Sequence, residues 1–240
     1  MLNPLELTGR AQTHLVECSV LGCALHRATA PRARALKQAA RAAGIDLVVV
    51  SGYRDLARQI AIWNGKLRGE RRLTDRQGRD LDRAALSERE AVDAVLGWSA
   101  LPGASRHHWG SELDVVDRAA LPAGDRPGLL TAEFAPGGVF AHLAAWLDEH
   151  AERWGFFRPY ARDRGGVMPE PWHLSDAQVA VPALRALSLE LLAETIAGAS
   201  MDAREQVMAR LPELYERYVL EVDLPARGAP AGPSTNARCR

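Results

Sequence analysis

The sequence has no surplus of either charge and no long apolar run. Each absence excludes a class of function before any motif is considered. Its 240 residues carry 30 Lys and Arg against 30 Asp and Glu, so the formal net charge is zero. Nucleic-acid-binding domains and polybasic membrane anchors need excess positive charge. A membrane helix needs about 18 or more consecutive apolar residues. The sequence therefore predicts neither a nucleic-acid partner nor a membrane span.

Cysteine is also scarce, with three residues in the chain. An odd number without a Cys-x-x-Cys spacing excludes a disulfide framework and a thiolate zinc site. Cys18 and Cys23 lie in an apolar stretch that we interpret as helical, so we expect buried thiols there. A bond between them would require a break in that helix. The first six residues contain no basic side chain, so no export signal is recognisable.

The remaining composition is that of an ordinary globular protein. Apolar residues make up 47% and charged residues 25% of the chain, close to the averages of soluble domains. The length allows one sizeable core or two small ones. Composition therefore says little about the fold, and the prediction of fold and function depends on patterns at particular positions.

The stretch from Ser105 to Asp114, which reads SRHHWGSELD, carries the first candidate functional groups. It places an imidazole, His107, seven residues before the carboxylate of Asp114. Gly110 between them permits a tight reversal, and the apolar run LDVV predicts that Asp114 lies on the following strand. Taken alone, the two residues are either a hydrogen-bonded structural pair or two ligands of a metal ion.

A second stretch, EPWH at 170–173, adds Glu170 and, three residues later, His173. Two imidazoles and one aspartate form a ligand set that suits zinc with one position left open for water. Glu170 would then be a free carboxylate beside the metal, able to carry the proton of an acidified water. Since positions i and i+3 of a strand point to opposite faces, we expect Glu170 in a loop and only His173 on a strand. The combination predicts a hydrolase.

Four blocks in the same order resemble the zinc D-alanyl-D-alanine carboxypeptidases of the VanY type, relatives of the VanX dipeptidases. The blocks are SGYR at 51–54 with Gln59, S-x-H-x-x-G-x-x-x-D at 105–114, WGFF at 154–157 and E-x-W-H at 170–173. The resemblance covers about residues 45–180. It implies an α+β fold of the hedgehog/D-Ala-D-Ala-peptidase type, in which a small, mostly antiparallel sheet carries a zinc cleft and is flanked by helices.

The resemblance also implies roles for individual residues. His107, Asp114 and His173 are the expected ligands of Zn²⁺, and Glu170 is the expected general base. Water would occupy the fourth position of the metal.

Arg54, Gln59 and Ser105 are the residues that the resemblance places around the terminal D-Ala of the substrate. Arg54 would stabilise the oxyanion of the transition state or clamp the free carboxylate of the terminal residue. The alternatives from the residues alone are a surface salt bridge for Arg54 and a solvent-facing helical position for Gln59.

Three neighbours of these residues are interpreted differently. His108 is not expected to be a fourth ligand, because adjacent side chains diverge. Glu112 stands where the family usually has a small residue; if it shares the face of Asp114, it adds negative charge near the metal. Asp117 either orients a ligand histidine, as outer carboxylates do, or lies at the surface.

The chain is predicted to consist of four segments. They are N-terminal helices packing on the core (1–44), the zinc carboxypeptidase core domain (45–182), a C-terminal helical appendage (183–222) and a disordered tail (223–240). In the first segment a rough helical face is formed by Leu15, Val16, Val20, Leu21 and Leu25.

Several elements can be predicted from local signals of capping, periodicity and turn composition. They are a central strand at Leu47–Val50, a helix at Leu56–Leu67 capped by Asp55, a helix from a Ser87/Glu90 capping box to about Trp98, a surface loop over 118–137 that forms a rim of the site, a helix at Val139–Arg153, and two helices over Ala183–Ala197 and Met201–Leu220.

These observations predict a zinc-dependent D,D-carboxypeptidase that hydrolyses the terminal D-Ala of D-Ala-D-Ala-ended peptidoglycan peptides. An L,D-carboxypeptidase or a peptidoglycan endopeptidase of the same fold is the nearest alternative. A zinc-stabilised muropeptide-binding module without catalysis is an alternative of another class, which a free Glu170 disfavours. The family implies the periplasm or cell envelope, with the cytoplasm as the alternative because no signal is recognisable. The sequence does not determine the oligomeric state.

Overall fold

The computed structural model describes residues 1–225. Within them the strands are β1 Leu15–Cys18, β2 Cys23–His26, β3 Leu47–Ser51, β4 Glu112–Asp117, β5 Phe156–Phe157 and β6 His173–Asp176. The α-helices are α1 Pro4–Leu7, α2 Thr29–Ala42, α3 Leu56–Leu67, α4 Glu88–Leu96, α5 Thr131–Phe134, α6 Ala141–His150, α7 Ala177–Ala186, α8 Leu189–Ala197, α9 Arg204–Ala209 and α10 Leu211–Tyr215.

The main sheet has four strands in the order β3-β4-β6-β5, and every neighbouring pair is antiparallel. Helices surround it, so the predicted α+β class with a small antiparallel sheet is confirmed. β4 is a central strand in which all six residues are buried. β3, predicted as central, is an edge strand with Val50 41% exposed. A short apolar run does not distinguish an edge strand from a central one, because both need an apolar face toward the core.

In the N-terminal segment, helices α1 and α2 form, but the helical face predicted from Leu15 to Leu25 is wrong. Leu15 to His26 forms a β-hairpin in which Cys18 and Cys23 are register partners, and both thiols are free. Cys18 is buried, as predicted, whereas Cys23 is only partly buried. The apolar positions fit a helical face only roughly, and Gly22 in the left-handed conformation, φ +68°, allows the reversal between the strands.

Helix starts are predicted well where a side chain caps the first turn. Asp55 accepts a hydrogen bond from the backbone N–H of Arg58 at the start of α3. Ser87 and Glu90 form the predicted capping box at the start of α4. Such caps satisfy amide groups that have no partner within the helix. Because the hydrogen bond joins residues close in sequence, the sequence pattern predicts it without knowledge of the tertiary structure.

The helices after residue 176 differ from the prediction. Pro182, expected at a boundary, lies inside α7. The predicted helix Ala183–Ala197 is divided between the end of α7 and α8, and the predicted helix Met201–Leu220 is divided into α9, α10 and a π-type turn at Glu216–Leu220. A proline removes one backbone donor from a helix, yet burial of Val179 and Leu184 beside it maintains α7.

The described residues form two apolar cores. One joins α3 and α4 to the C-terminal helices through Trp63, Val92, Leu192 and Leu214. The other fills the space between the sheet, α2 and α6. Because the C-terminal helices share a core with α3 and α4, they form part of the packing around the site rather than a separate surface layer.

The four predicted segment boundaries stay predictions. Most of the predicted disordered tail, from residue 226 onward, lies outside the described residues. Across residues 1–225, no helix combines the length and the apolar character that crossing a membrane requires.

Candidate metal centre and active site

His107 lies in a short 3₁₀ turn, Arg106–Trp109, that leads into β4. The turn ends at Gly110 with φ +65°, and a Cβ at this position would lie 2.7 Å from the backbone nitrogen of His26. Nδ1 of His107 lies 2.8 Å from the carbonyl oxygen of Gly52. Because a carbonyl only accepts, Nδ1 carries the hydrogen and Nε2 keeps its lone pair for a ligand.

Asp114 and His173 are held by adjacent strands, where they are register partners between β4 and β6. Oδ2 of Asp114 lies 3.3 Å from Nε2 of His107, and Oδ1 lies 3.1 Å from Nδ1 of His173. The other ring nitrogen of His173, Nε2, lies 2.9 Å from the carboxylate of Glu112. Nδ1 of His173 is therefore the atom that remains available to a ligand.

These three residues form a group that can hold a metal ion. One donor atom from each of His107, Asp114 and His173 lies within 4.8 Å of the others, and all three residues are buried. Oδ1 of Asp114 is buried without a hydrogen-bond partner among residues 1–225. A cation would supply that missing partner, and two imidazole nitrogens with one carboxylate oxygen are the donors of open metal sites.

The electrostatics of this group favour a positive charge at its centre. Burial acts to raise the pKa of Asp114, but the neighbouring His107 and His173 hold it well below its usual value. Burial acts to lower the pKa of His173, but the carboxylates of Asp114, Glu112 and Glu170 raise it well above its usual value. Buried charges are stable only with such compensation.

Glu170 lies in the loop before β6, and His173 is the first residue of the strand, as predicted. Oε2 of Glu170 lies 3.3 Å from Nδ1 of His173. Its backbone is fixed by N–H donation to the carbonyl of Tyr160 and by the carbonyl that accepts from His173. The side chain stays 13% exposed, so the carboxylate is close to the three donor atoms and still accessible from the cavity.

Arg54 is presented by the turn between β3 and α3. Its guanidinium donates to Oε1 of Gln59 at 2.8 Å and to Oγ of Ser51 at 3.0 Å, and it has no carboxylate within ion-pair distance in the described part of the chain. Burial lowers its pKa, although Asp114 and Glu170 oppose this. Arg54 is thus held by neutral groups, which leaves its charge available to an anionic ligand.

Gln59 and Ser105, the other two predicted substrate-binding residues, differ in position. Gln59 is fully buried, with its amide N–H donating to the carbonyl of Ala100 and its oxygen accepting from Arg54. Ser105 lines the cavity. The geometry gives Gln59 a role in holding Arg54 rather than a place on the cavity wall, and direct substrate binding by Gln59 stays a prediction.

His108 supports the backbone of Arg54 and does not join the three donor atoms. Its Nδ1 lies 2.6 Å from the carbonyl oxygen of Arg54 and so donates to it, while Nε2 accepts from the N–H of Gly103 at 3.3 Å. Burial lowers the pKa of His108 to about 4, which matches this neutral tautomer. The prediction that His108 is not a ligand agrees with this placement.

A cavity of about 330 Å³ opens over these groups, a size typical of small-ligand sites. Arg54, Ser105 and Glu170 line it together with the three metal-binding candidates, and Gly128, Leu129 and Leu130 contribute from the loop over 118–137. The loop therefore forms part of the rim, as predicted. Lys66 of α3 also lines the cavity, which the sequence did not suggest.

Glu112, rather than Asp117, is the outer carboxylate beside a candidate ligand histidine, and Asp117 is buried rather than at the surface. Asp117 accepts hydrogen bonds from the backbone of Asp46 and Ala119 and does not touch a histidine. Glu112 is the carboxylate that contacts His173. Alternation along β4 puts Glu112 and Asp114 on the same face. This alternation predicted that the two carboxylates lie close together, but it did not predict the contact between Glu112 and His173.

Comparison with known proteins places this geometry in a family. Residues 22–176 match the family VanY: D-alanyl-D-alanine carboxypeptidase. An uncharacterised protein of Haemophilus influenzae is 30% identical over 122 residues, which cover 50% of this chain and 93% of that protein.

Two solved structures have a similar fold. A variant of the vancomycin-resistance D,D-pentapeptidase VanY in complex with Zn(II) has 26% identity and a TM-score of 0.52, covering 75% of this chain and 89% of that one. VanYB in complex with D-alanine-D-alanine has 24% identity and a TM-score of 0.52, covering 78% and 91%. Since the matched span 22–176 exceeds half of the chain and contains every residue of the metal-binding group, the chain is a peptidase of the VanY D-alanyl-D-alanine carboxypeptidase family.

Proposed function

We propose that this protein is a zinc-dependent D,D-carboxypeptidase that removes the terminal D-Ala from peptidoglycan peptides ending in D-Ala-D-Ala. The observation that supports this most is the convergence of His107, Asp114 and His173, whose donor atoms lie within 4.8 Å of one another, beside a carboxylate that is not needed to hold the metal. A structural zinc site prefers four protein ligands, whereas a catalytic site keeps one position open.

Zinc is the metal that suits this donor set, and when bound it supplies Lewis acidity that lowers the pKa of water. Glu170 is the proton carrier in the proposed reaction. Its carboxylate accepts the proton of the attacking water and delivers it to the amine of the departing D-Ala. Its position fits this role, because Oε2 lies 3.3 Å from Nδ1 of His173 while the side chain remains partly exposed to the cavity.

Arg54 supplies the positive charge that the substrate or transition state requires. Its guanidinium binds the terminal carboxylate or the oxyanion that develops at the scissile carbonyl. Gln59 and Ser51 hold it in place through neutral hydrogen bonds. An endopeptidase has no terminal carboxylate to bind, so carboxylate recognition is the property that separates the two activities.

The test is incubation of purified protein with pentapeptide and tetrapeptide muropeptides, with and without a chelator, and analysis of the products by mass. Loss of one alanine from the pentapeptide is expected, and the chelator is expected to abolish it. Glu170→Ala should lose activity while keeping one bound zinc per chain. Glu149→Ala, a change at an exposed position of α6, is the matched control and should retain activity.

Other products would identify the alternatives. Cleavage of the tetrapeptide would indicate an L,D-carboxypeptidase, and cleavage within a cross-linked peptide would indicate an endopeptidase. Zinc bound at one per chain with no product from any substrate would favour the muropeptide-binding module and contradict the proposal.

The substrate also sets the compartment that we propose, the periplasm or cell envelope. Action in the cytoplasm on precursors or recycled muropeptides is the alternative. Cell fractionation with an antibody against the native protein separates the two.

A further inference from the structure

Glu112 is a fully buried carboxylate on β4, two residues before Asp114 and on the same face. Burying an ionised carboxylate is costly unless partners compensate it. This side chain has such partners on both oxygens. Oε1 accepts from the hydroxyls of Ser111 at 2.7 Å and Ser175 at 2.8 Å. Oε2 lies 3.3 Å from Nε of Arg106 and 2.9 Å from Nε2 of His173.

The partners of Glu112 are themselves fixed. Arg106 is 4% exposed, its second nitrogen donates to the hydroxyl of Ser175 at 2.6 Å, and its guanidinium lies 4.8 Å from the ring centre of Trp109. The positive charge of Arg106 offsets the negative charge of Glu112. The carboxylate can therefore act on His173 through hydrogen bonding without adding net charge to the metal site.

The contact determines which nitrogen of His173 is free. An ionised carboxylate only accepts, so Nε2 of His173 must carry a hydrogen, and Nδ1 is the nitrogen that gives up its proton and offers a lone pair when a metal ion binds. Nδ1 is the nitrogen that lies 3.1 Å from Asp114 and 3.3 Å from Glu170. Outer carboxylates of this kind fix the tautomer and ring orientation of metal-binding histidines.

We propose that Glu112, anchored by Arg106 and Ser175, is the positioning residue that holds His173 with Nδ1 toward the metal. The proposal rests on the proposed zinc site. From the sequence, Glu112 was expected only to add negative charge near the metal. The proposal gives this carboxylate a function.

The test compares zinc affinity, by competition with a chromophoric chelator, in the wild type and in Glu112→Gln. The amide keeps the shape and one acceptor but loses the charge, and we expect zinc to bind about 10- to 100-fold more weakly. Asp117→Asn is the matched control, because Asp117 is a buried carboxylate of the same strand whose hydrogen bonds within residues 1–225 come from backbone amides. Its zinc affinity should equal that of the wild type.

A second measurement needs no variant. Proton–nitrogen NMR of the zinc-loaded wild type should show His173 protonated at Nε2 and coordinated through Nδ1. The opposite tautomer, or equal zinc affinity in a folded Glu112→Gln, would overturn the role of Glu112. Wild-type protein that binds zinc but cleaves no D-Ala-D-Ala peptide would instead contradict the proposed function alone. A wild type that binds no zinc would overturn both.

A separate observation concerns Lys66, near the end of α3. Its ammonium lines the cavity and donates to the hydroxyl of Ser99 at 2.8 Å. Among residues 1–225 it has no carboxylate within ion-pair distance. Burial lowers its pKa to about 8, although Glu170 opposes this. Lys66 is only partly exposed, and its hydrogen-bond partner Ser99 is neutral. Because a half-buried ammonium is normally compensated by a negative charge, the ion that neutralises it is expected to come from the ligand.

A count of charges in the cavity supports the same point. Asp114 and Glu170 together balance a divalent cation, Arg106 balances Glu112, and Arg72, which also lines the cavity, pairs with Asp80. Arg54 and Lys66 then remain as two positive charges held by neutral groups. We infer that Lys66 binds a carboxylate of the substrate, an inference that also rests on the proposed function. The carboxylate is either the terminal one or an acidic side chain in the residue before D-Ala-D-Ala.

The test uses Lys66→Met, which keeps the length of the stem and removes the charge. Two tripeptides that end in D-Ala-D-Ala are compared, one with a neutral and one with a carboxylate side chain at the first residue. A KM raised about tenfold or more for both identifies the terminal carboxylate; a rise only for the acidic peptide identifies the side chain. Lys66→Arg should recover part of the affinity.

Unchanged KM values for both peptides in Lys66→Met would overturn the inference. If the wild type cleaves neither peptide, the proposed function fails, and binding of the uncleaved acidic peptide is measured instead. Equal Kd in the wild type and Lys66→Met would then overturn the inference independently. Where the Met variant does not fold, Lys66→Arg decides: KM or Kd values equal to those of the wild type for both peptides would count against a shaped carboxylate contact.

Discussion

Asp114 and His173 face each other across two hydrogen-bonded strands, with Oδ1 of the aspartate 3.1 Å from Nδ1 of the histidine. Two of the three metal-binding candidates are therefore fixed by the pairing of β4 and β6 rather than by loops. His107 joins them from the turn that precedes β4. A site on regular strands is held more precisely than one on loops, which is what a metal centre with an open position requires.

Removal of the aspartate carboxylate should abolish metal binding. In Asp114→Asn the side chain keeps its shape but loses the charge that compensates the cation. Changes in carboxylates outside the ligand set weaken metal binding about 10- to 100-fold. For Asp114→Asn we expect a larger fall in zinc affinity, with hydrolysis lost in parallel. Zinc content after dialysis measures the effect. Asp148→Asn, at an exposed position of α6, is the control; wild-type zinc content in Asp114→Asn would contradict the ligand assignment.

The substitution Arg54→Lys distinguishes the two roles proposed for Arg54, which are binding of the terminal carboxylate and stabilisation of the oxyanion. A lysine cannot reproduce two parallel hydrogen bonds to a carboxylate, so kcat/KM should fall about 10- to 100-fold for a peptide with a free carboxyl terminus. The same measurement on a peptide with an amidated terminus is the comparison. A fall confined to the free carboxylate identifies terminal recognition, and an equal fall identifies stabilisation of the oxyanion. No fall with either peptide would exclude Arg54 from the reaction.

Gly110→Ala should destabilise the fold at the metal-binding turn. The residue has φ +65°, and a Cβ would lie 2.5 Å from Cδ2 of Leu15 and 2.7 Å from the backbone nitrogen of His26. Since the second contact is with backbone, we expect a loss of about 2 kcal/mol or more in the free energy of unfolding. Urea denaturation measures it.

Gly22→Ala provides the matched control for this prediction. Gly22 has nearly the same backbone conformation, φ +68°, but a Cβ there would meet nothing within 4 Å. Only the conformational cost of about 1 kcal/mol remains. If the two variants lost equal stability, crowding at Gly110 would not be the cause.

Acid should destabilise the folded protein through His108. Burial lowers the pKa of His108 to about 4 in the folded state, against about 6.5 in the unfolded chain. Below pH 6.5 the unfolded state binds a proton that the folded state does not. The contribution is therefore complete above that pH and is lost as the pH falls toward 4. For one group this contribution to the free energy of unfolding amounts to about 3 kcal/mol.

The test is the free energy of unfolding, measured by urea between pH 4 and 7, for the wild type and His108→Asn. The asparagine amide can still donate to the carbonyl of Arg54 but does not titrate. We expect the variant to be less stable at pH 7 and its stability to depend less on pH. Parallel pH profiles would show that His108 does not carry the effect.

Secondary structure was predictable where one residue sets a local hydrogen bond. Asp55 and the pair Ser87 and Glu90 mark helix starts because each satisfies free amide groups within one turn. The hairpin at Leu15–His26 was not predictable in this way. Its short apolar run fits both the helical and the strand periodicity, and the elements that pack against it determine which of the two structures forms.

Residue types and spacing are enough to predict the candidate donors, which are two imidazoles and an aspartate beside a separate glutamate. Gly110 permits the turn between His107 and Asp114. Those residue types limit the chemistry to a hard or borderline cation and a proton carrier, wherever they lie. The partners of Glu112, Gln59 and Lys66 become visible only in the folded chain. Their partners come from distant segments, such as His173 for Glu112, and the function of a buried polar group depends on the partner that compensates it.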